Sequence, residues 1–246
     1  MKFVLLALRE NQLIADAEFD DFVALSGLRP DELEMRLLDK PDSELGDFTD
    51  VAGVFIGGSP FTITKPFDDV WQPAVSEKLA EFIRAALDNP RFPILATCYG
   101  ASMFAHYLGG KVGSDFAEEA GVTKIVLSSD AAFDPLCQDL PQEFLGFGGH
   151  KDSVLELPDN AVLLAGGPTC PVHMYRIGSN VWATQFHPEM DGERITRRLK
   201  FYDNSGYYSP EREDEVYASL RGHDTAASNS FLRKFVEYAK ANAGEQ

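Results

Sequence analysis

The stretch ILATCYGASM, residues 94–103, decides the fold. An apolar run typical of a buried strand leads into Cys98, and apolar residues at helical spacing follow directly. Ala96 and Gly100 lie two positions before and two after the cysteine, where larger side chains would collide in a sharp strand-to-helix turn. The pattern predicts a cysteine at the carboxyl edge of a sheet and at a helix N-terminus, which favours the thiolate. The alternative is a buried structural cysteine.

The rest of the chain predicts an α/β protein around this turn. Residues 3–8, Val51–Ile56 and residues 93–97 have the composition of buried strands, and residues 74–87 have a helical apolar period. Strands that alternate with helices favour a mostly parallel sheet covered on both faces. Short β-rich runs between about residues 122 and 183 predict an added, partly antiparallel segment, followed by C-terminal helices. We expect a single domain over residues 1–246, because no linker or repeat interrupts the chain.

Composition narrows the class of function. The formal net charge is −17, and a surface this acidic repels nucleic acid and anionic lipid, so we expect neither as a partner. The N-terminal apolar run is too short for a signal peptide or a membrane span, which favours the cytoplasm and reduced cysteines. Cys98, Cys137 and Cys170 match no compact zinc pattern, so we expect no metal and no cofactor.

A second stretch, VWATQFHPE at residues 181–189, supplies the groups that a thiol nucleophile requires. A cysteine nucleophile needs a base, and the base needs a partner that fixes its tautomer. His187 and Glu189 flank a proline of fixed φ at the end of an apolar strand, and residues two apart on extended backbone point to the same side. We therefore predict that Cys98, His187 and Glu189 form a catalytic triad. A surface histidine beside a surface glutamate is the alternative.

These motifs resemble the class I glutamine amidotransferases, most closely stand-alone proteins similar to the amidotransferase domain of GMP synthetase. The resemblance spans about residues 51–191 and has five landmarks in the family's order. They are Gly57-Gly58-Ser59-Pro60, the turn at Cys98, Leu108-Gly109-Gly110-Lys111-Val112, His150-Lys151-Asp152-Ser153-Val154 and Gln185-Phe186-His187-Pro188-Glu189. The fold so predicted is α/β, a flavodoxin-like three-layer sandwich with a mostly parallel central sheet, an added β-rich segment and C-terminal helices.

The resemblance also implies a chemistry and further site residues. Cys98 would attack a glutamine side-chain amide, His187 would protonate the departing ammonia, and water would hydrolyse the glutamyl thioester. The Gly57-Gly58 loop would border the site, with the backbone N–H groups of Gly58 and Tyr99 holding the oxyanion. Ammonia would be released or handed to a separate synthetase partner, since the chain has no Walker-type phosphate loop of its own.

Two positions differ from the family's usual sequence at the cysteine turn, which is Gly-x-Cys-x-Gly-x-Gln. Ala96 replaces the first glycine, and Ser102 stands where the family has a glutamine that lines the substrate pocket, with Ala101 before it. This replacement leaves the nucleophile unchanged but alters the substrate pocket, so the preferred substrate can differ from that of the family. The substrate is predicted to be a small molecule, either glutamine or another γ-glutamyl amide.

Two alternative functions follow from these departures. The chain could hydrolyse γ-glutamyl peptides or conjugates on the same fold, or it could be a non-catalytic binding module that retains the fold. A related thiol hydrolase group has His directly after the cysteine, and Tyr99 at that place argues against it. His150 could border the site, but we interpret it as part of a polar turn after glycines. An aromatic group is interpreted as fixing a helix end to the core, with cover for the pocket or contact with a partner as the alternatives: Phe201, Tyr202, Tyr207 and Tyr208.

Overall fold

The computed structural model describes residues 1–65, 71–90, 92–202 and 207–243. Its strands are β1 (Lys2–Ala7), β2 (Leu33–Leu37), β3 (Val51–Ile56), β4 (Ile94–Thr97), β5 (Lys111–Gly113), β6 (Glu118–Leu127), β7 (Glu143–His150), β8 (Ser153–Glu156), β9 (Ala161–Gly166), β10 (Met174–Ile177) and β11 (Val181–Thr184). Its helices are α1 (Gln12–Ser26), α2 (Trp71–Asp88), α3 (Tyr99–Tyr107), α4 (Gly192–Leu199), α5 (Glu213–Ser219) and α6 (Ala226–Ala243).

Nine strands form the central sheet in the order β2-β1-β3-β4-β11-β10-β9-β6-β7. The first five run parallel to one another, and the pairs from β11–β10 to β6–β7 are antiparallel. The prediction of a parallel sheet extended by an antiparallel β-rich segment is therefore confirmed. β5 and β8 form a separate two-stranded sheet.

The two faces of the sheet carry separate hydrophobic cores, because alternate strand residues point to opposite sides. One face packs on α1 and α6, with Phe55 and Trp182 of the strands against Phe22 and Phe235 of the helices. The other face packs on α2 and α3, and its buried residues include Ile56, Ala96, Leu79 and Phe104. A smaller cluster joins α4 and α5 to β7. Helices thus cover both faces of the sheet, as expected for buried parallel strands.

The strand β11 comes late in the sequence but lies in the middle of the sheet. It pairs in parallel with β4, with Thr184 opposite Thr97 and Ala183 opposite Ala96. Both strands therefore end at the same edge, and the backbone N–H of Cys98 donates to the carbonyl of Thr184 at 2.7 Å. This register brings the residues that follow β4 and β11 side by side, although they are far apart in sequence.

The glycines that precede the predicted polar turn lie in the strand β7, and a bend at Lys151 follows that strand. The chain is extended from Glu143 to His150, and β7 curls far enough for Phe147 to make an antiparallel bridge to His187. The backbone of β7 approaches β6 closely at position 149, where a Cβ would lie 2.9 Å from the Cα of Ala120. The glycines of this strand mark close approach and not a change of chain direction.

Within the described ranges, none of the helices is both long enough and apolar enough to cross a membrane. The three cysteines are free thiols.

Candidate functional site

The cysteine turn has the predicted geometry. β4 ends at Thr97, α3 begins at Tyr99, and Cys98 between them has φ 51° and ψ −100°, a strained backbone conformation for a residue with a side chain. A Cβ on Gly100 would lie 2.7 Å from the Cβ of Ala96. Ala96 stands where the family usually has a glycine, so its Cβ already fills the space between the two positions. Position 100 must therefore be glycine.

The structure brings His187 and Glu189 to this cysteine. The Nδ1 of His187 lies 2.6 Å from Oε1 of Glu189, and both side chains are buried. This contact leaves Nε2 as the ring nitrogen available to Cys98, which lines the same cavity as His187. The backbone of His187 is held by the Phe147 carbonyl of β7 at 2.8 Å. The three side chains predicted to work together are therefore gathered at one place, with the imidazole in contact with the carboxylate and the cysteine on the same cavity.

Electrostatics favour the charged forms of the imidazole and the carboxylate. Burial alone would lower the pKa of His187, but the charges of Glu189 and Cys98 outweigh it and raise the pKa to about 10. Burial would likewise raise the pKa of Glu189, but His187 and then Arg198 bring it below its ordinary value. At neutral pH an imidazolium therefore faces the sulfur, with an ionised carboxylate behind it.

The two glycines of the loop after β3 have different surroundings. A Cβ on Gly58 would lie 3.0 Å from Cε1 of His187 and 3.5 Å from the Cβ of Cys98, so this backbone approaches the cysteine closely. A Cβ on Gly57 would instead meet the carboxylate of Glu18 at 2.5 Å. Gly58 thus lies at the site, whereas Gly57 allows a buried acid from α1 to pack beneath the loop.

Two cavities meet at Cys98. The first, here called the Ser102 cavity, has an empty volume of about 280 Å³ including the part open to solvent, and its wall includes Ser102, Tyr99, Gln185 and His150. The Oγ of Ser102 lies 3.4 Å from Oε1 of Gln185, whose Nε2 lies 3.9 Å from the sulfur of Cys98. Gln185 therefore supplies an amide next to the sulfur in a cavity where the family's usual glutamine is absent.

The second cavity lies on the imidazole side of Cys98 and is called the His187 cavity. Its empty volume is about 410 Å³ including the part open to solvent. Apolar residues of β6 and α4 share its wall with Arg9 and Arg198, which the sequence analysis did not select, and with Tyr202 and Tyr207 of the aromatic group. These two tyrosines line the cavity, and cover for the pocket stays a prediction.

His150 lines the Ser102 cavity, but both of its ring nitrogens are engaged. Nδ1 lies 2.8 Å from the carbonyl oxygen of Asp152, and Nε2 lies 2.9 Å from a carboxylate oxygen of Glu118. The carboxylate of Asp152 in turn accepts from the backbone N–H groups of Ile63 and Thr64. These contacts fix the loop around the Ser102 cavity, which supports the structural interpretation of His150.

A further residue that sequence reasoning missed holds the backbone of the His-Pro-Glu segment. The buried Asn229 of α6 donates to the carbonyl oxygens of Pro188 at 2.9 Å and of Met190 at 2.7 Å. Thr225 orients the amide by donating to its oxygen at 3.0 Å. No motif marks this asparagine, because its role depends on how α6 packs. Within residues 1–65, 71–90, 92–202 and 207–243, no group of three or more His, Cys, Asp or Glu side chains is arranged to hold a metal ion.

Comparison with known proteins agrees with this architecture. The sequence model of the family described as "Glutamine amidotransferase class-I" matches residues 27–202. A glutamine-hydrolysing GMP synthase of Christiangramia forsetii is 35% identical over 154 residues, which cover 61% of this chain and 28% of that protein. One subunit of the glutamine-hydrolysing GMP synthase of Methanocaldococcus jannaschii is 30% identical over 151 residues, which cover 61% of this chain and 71% of that protein.

Solved structures give the same fold. A glutamine amidotransferase from Thermotoga maritima superposes with a TM-score of 0.71 at 20% identity, covering 97% of this chain and 98% of that one. The family's sequence model covers well over half of the chain, so the protein belongs to the class I glutamine amidotransferases. Within that family it is similar to the amidotransferase part of GMP synthases, and its match spans less than a third of the full-length synthase from C. forsetii.

Proposed function

We propose that the protein is a cysteine-dependent amidohydrolase that cleaves the side-chain amide of glutamine through a thioester on Cys98. The observation that carries the proposal is the cysteine at a strained strand-to-helix turn, on one cavity with an imidazole that contacts a buried carboxylate. An imidazolium paired with a thiolate is a reactive nucleophile at neutral pH and holds the proton that a departing amine needs.

The proposed reaction has two halves. In the first, the Cys98 sulfur attacks the amide carbon, the C–N bond breaks, and Nε2 of His187 gives its proton to the nitrogen, which leaves as ammonia. In the second, His187 takes a proton from water, which attacks the thioester and releases glutamate and the thiolate. Gly58 approaches the cysteine closely enough for its backbone N–H, with that of Tyr99, to stabilise the oxyanion in each half.

We propose that the ammonia is either released or used by a separate acceptor chain. The support is that the M. jannaschii relative, most of whose length matches this chain, is named as one subunit of a GMP synthase. Location in the cytoplasm stays a prediction.

The test combines a glutaminase assay with active-site labelling of the intact chain. We expect wild-type protein to release glutamate from glutamine, and Cys98→Ala to lower kcat/KM by at least about 1000-fold, because the nucleophile is lost. A diazo-ketone analogue of glutamine should label Cys98 alone, as found by peptide mass spectrometry. Cys137→Ala is the matched control and should retain activity, since Cys137 is a buried free thiol of the core packed away from the site.

Two outcomes would contradict the proposal. Activity that survives Cys98→Ala would exclude the thioester. If Cys98 stays unlabelled while Cys137 or Cys170 reacts, and no amide is hydrolysed, the chain is a binding module on an amidotransferase fold.

A further inference from the structure

Two backbone N–H groups from different elements must act together on the oxyanion of the proposed reaction. Gly58 lies in the loop after β3, and Tyr99 is the first residue of α3, where an N–H has no acceptor within its own helix. Both donors must reach the position where the charge develops, and an error of about 1 Å in placement can cost about 100-fold in rate. The loop must therefore be fixed relative to the helix.

A cluster of buried hydrogen bonds lies between these two elements. Nε2 of Gln72, in the first turn of α2, donates to the carbonyl oxygen of Thr62 at 2.8 Å and to the hydroxyl of Tyr99 at 3.2 Å. Oγ of Ser76 lies 2.7 Å from the same hydroxyl and donates to the carbonyl oxygen of Gln72 at 2.8 Å. Because the serine proton is used in that bond, the tyrosine donates its own proton to the serine. The three side chains are each at most 3% exposed.

Each end of the cluster reaches one of the two oxyanion donors. The loop begins at Gly57, whose N–H donates to the carbonyl oxygen of Leu6 in β1 at 3.0 Å. The bond from α2 to Thr62 then holds the loop on the other side of Gly58. Tyr99 carries the second donor on its own backbone, so the bonds of its hydroxyl hold the start of α3 against the same helix.

Aromatic side chains pack around the cluster. Phe61 of the loop packs edge-on against Tyr99, with ring centroids 6.1 Å apart. It packs in the same way against Trp71, the first residue of α2, at 4.5 Å. Apolar contacts hold the loop and the two helices together but have little directional preference, whereas hydrogen bonds specify distance and angle. The hydrogen-bonded cluster is therefore the part of this contact that sets its geometry.

Stability alone does not require polar groups at this place. The cluster lies beside the apolar core that α2, α3 and the sheet bury on this face. Apolar groups of the same shape can replace a buried hydrogen-bonded pair at little cost in stability. Burial raises the pKa of Tyr99 to about 12, so its hydroxyl keeps its proton throughout the neutral range. The retained polar groups favour a role in positioning.

We propose that Gln72 is a positioning residue for the oxyanion, and that it fixes the spacing between the N–H groups of Gly58 and Tyr99. Among the described residues, those that line the two cavities at Cys98 do not include Gln72, so it acts through the backbone that it holds. This inference rests on the proposed thioester chemistry. Loss of the amide should slow formation and hydrolysis of the thioester, and should leave the nucleophile and substrate binding unchanged.

The first test measures kcat and KM for glutamine with the intact chain. Gln72→Met keeps the length of the side chain and removes both donated bonds. Complete loss of an oxyanion donor costs about 100- to 1000-fold, so we expect two displaced donors to lower kcat by about 10-fold or more, with KM changed by less than about 2-fold. Tyr99→Phe removes the hydroxyl but keeps the backbone N–H, and should lower kcat by a similar factor. The double variant should stay within about 3-fold of the slower single variant, because both changes break one cluster.

A second measurement separates positioning from general damage to the site. Alkylation of Cys98 by iodoacetamide, followed by peptide mass spectrometry, requires a thiolate but forms no oxyanion. Its rate in Gln72→Met and Tyr99→Phe should stay within about 2-fold of the wild-type rate, whereas kcat falls. Circular dichroism checks that each variant is folded.

Two matched controls test whether the position of the substitution matters. Gln142→Met also removes a bond from a glutamine amide to a backbone carbonyl, that of Leu127 at 2.6 Å, where β6 ends and far along the hairpin from the cavities. Tyr238→Phe removes a hydroxyl from a tyrosine of α6 that packs against Trp182. Both controls should keep the wild-type kcat.

The outcomes separate this inference from the proposed function. If wild-type protein hydrolyses glutamine but folded Gln72→Met keeps kcat within about 2-fold, the positioning role is wrong and the thioester chemistry stands. An equal fall in kcat and in alkylation of Cys98 also overturns the role, because it shows a disturbed cysteine. If wild-type protein neither hydrolyses an amide nor is labelled at Cys98, the proposed function fails and this inference fails with it. Tyr99→Phe, which loses a single oxygen atom, decides by the same criteria if Gln72→Met does not fold.

Discussion

At the scale of single residues, the site depends on a carboxylate that never meets the substrate. Glu189 is fully buried and contacts the imidazole at 2.6 Å, and its charge is the main reason why the pKa of His187 rises to about 10 in spite of burial. The imidazolium is thereby kept across the neutral range and is lost only as the pH rises through about 10.

The variant Glu189→Gln tests this role. We expect kcat/KM to fall at least about 100-fold, because a neutral amide neither stabilises the imidazolium nor selects its tautomer. The alkaline limb of the pH profile should move to lower pH, since the group that raised the pKa of His187 is gone. Glu193→Gln, at an exposed glutamate of α4, is the control and should leave the profile in place. An unchanged alkaline limb in Glu189→Gln would show that another group sets it.

The site residues that could be predicted from the sequence differ from those that could not in how they reach the site. Cys98, His187 and Glu189 each lie in a short motif at a strand end, so their meeting followed from the parallel pairing of two strands. That the three act as a triad stays a prediction. Arg9 lies in the loop after β1, and Arg198 and Asn229 reach the site by packing of α4 and α6; their sequence neighbours have no distinctive pattern.

At the scale of elements, the turn from β4 to α3 leaves no room for a methyl group. Gly100→Ala would put two Cβ atoms 2.7 Å apart across the turn, so we expect it to destabilise the protein by about 1–3 kcal/mol and to reduce labelling of Cys98. Gly121→Ala is the control, because its Cβ would meet only the carbonyl oxygen of Glu119 at 3.9 Å. Urea unfolding measures the first effect. Equal stability of the two variants would mean that the turn relaxes without cost.

The elements also show what the sequence patterns could and could not predict. The helical periods of α2 and α6 and the apolar runs of β1, β3, β4 and β11 were predicted, because an apolar period specifies an element that packs on one face. The glycines before the predicted polar turn lie in the extended, curled strand β7, where they permit close packing that the sequence pattern did not indicate. Only the neighbours in space show this use of glycine.

At the scale of the whole molecule, a buried ion network ties the first helix to the site. Glu18 of α1 lies beneath the Gly57-Gly58 loop and pairs with Arg9 and Arg198. Burial alone would lower the pKa of Arg9, but Glu18 and Tyr202 outweigh burial and hold that pKa above its ordinary value. The network connects the end of β1, α1 and α4, which are distant in sequence. That residues 1–246 act as a single domain stays a prediction, and this network supports it.

Removal of one acid from the network should affect the entire fold. We expect Glu18→Gln to lower the free energy of unfolding by about 3 kcal/mol, because Arg9 would be left buried beside a neutral amide. Glu10→Gln, at an exposed glutamate, should change it by less than about 0.5 kcal/mol. Thermal and urea unfolding of both variants give the comparison. A Glu18→Gln protein as stable as wild type would show that the network contributes little to stability.

The late position of β11 in the sequence has a consequence for biosynthesis. On the ribosome, the cysteine turn emerges well before the strand that delivers the imidazole, and that strand must insert between two strands already made. Until then the thiol has neither its proton acceptor nor the carbonyl that anchors its backbone. Nascent chains and fragments that stop short of the histidine should therefore be chemically inert, so reactivity begins only when the sheet is closed at its centre.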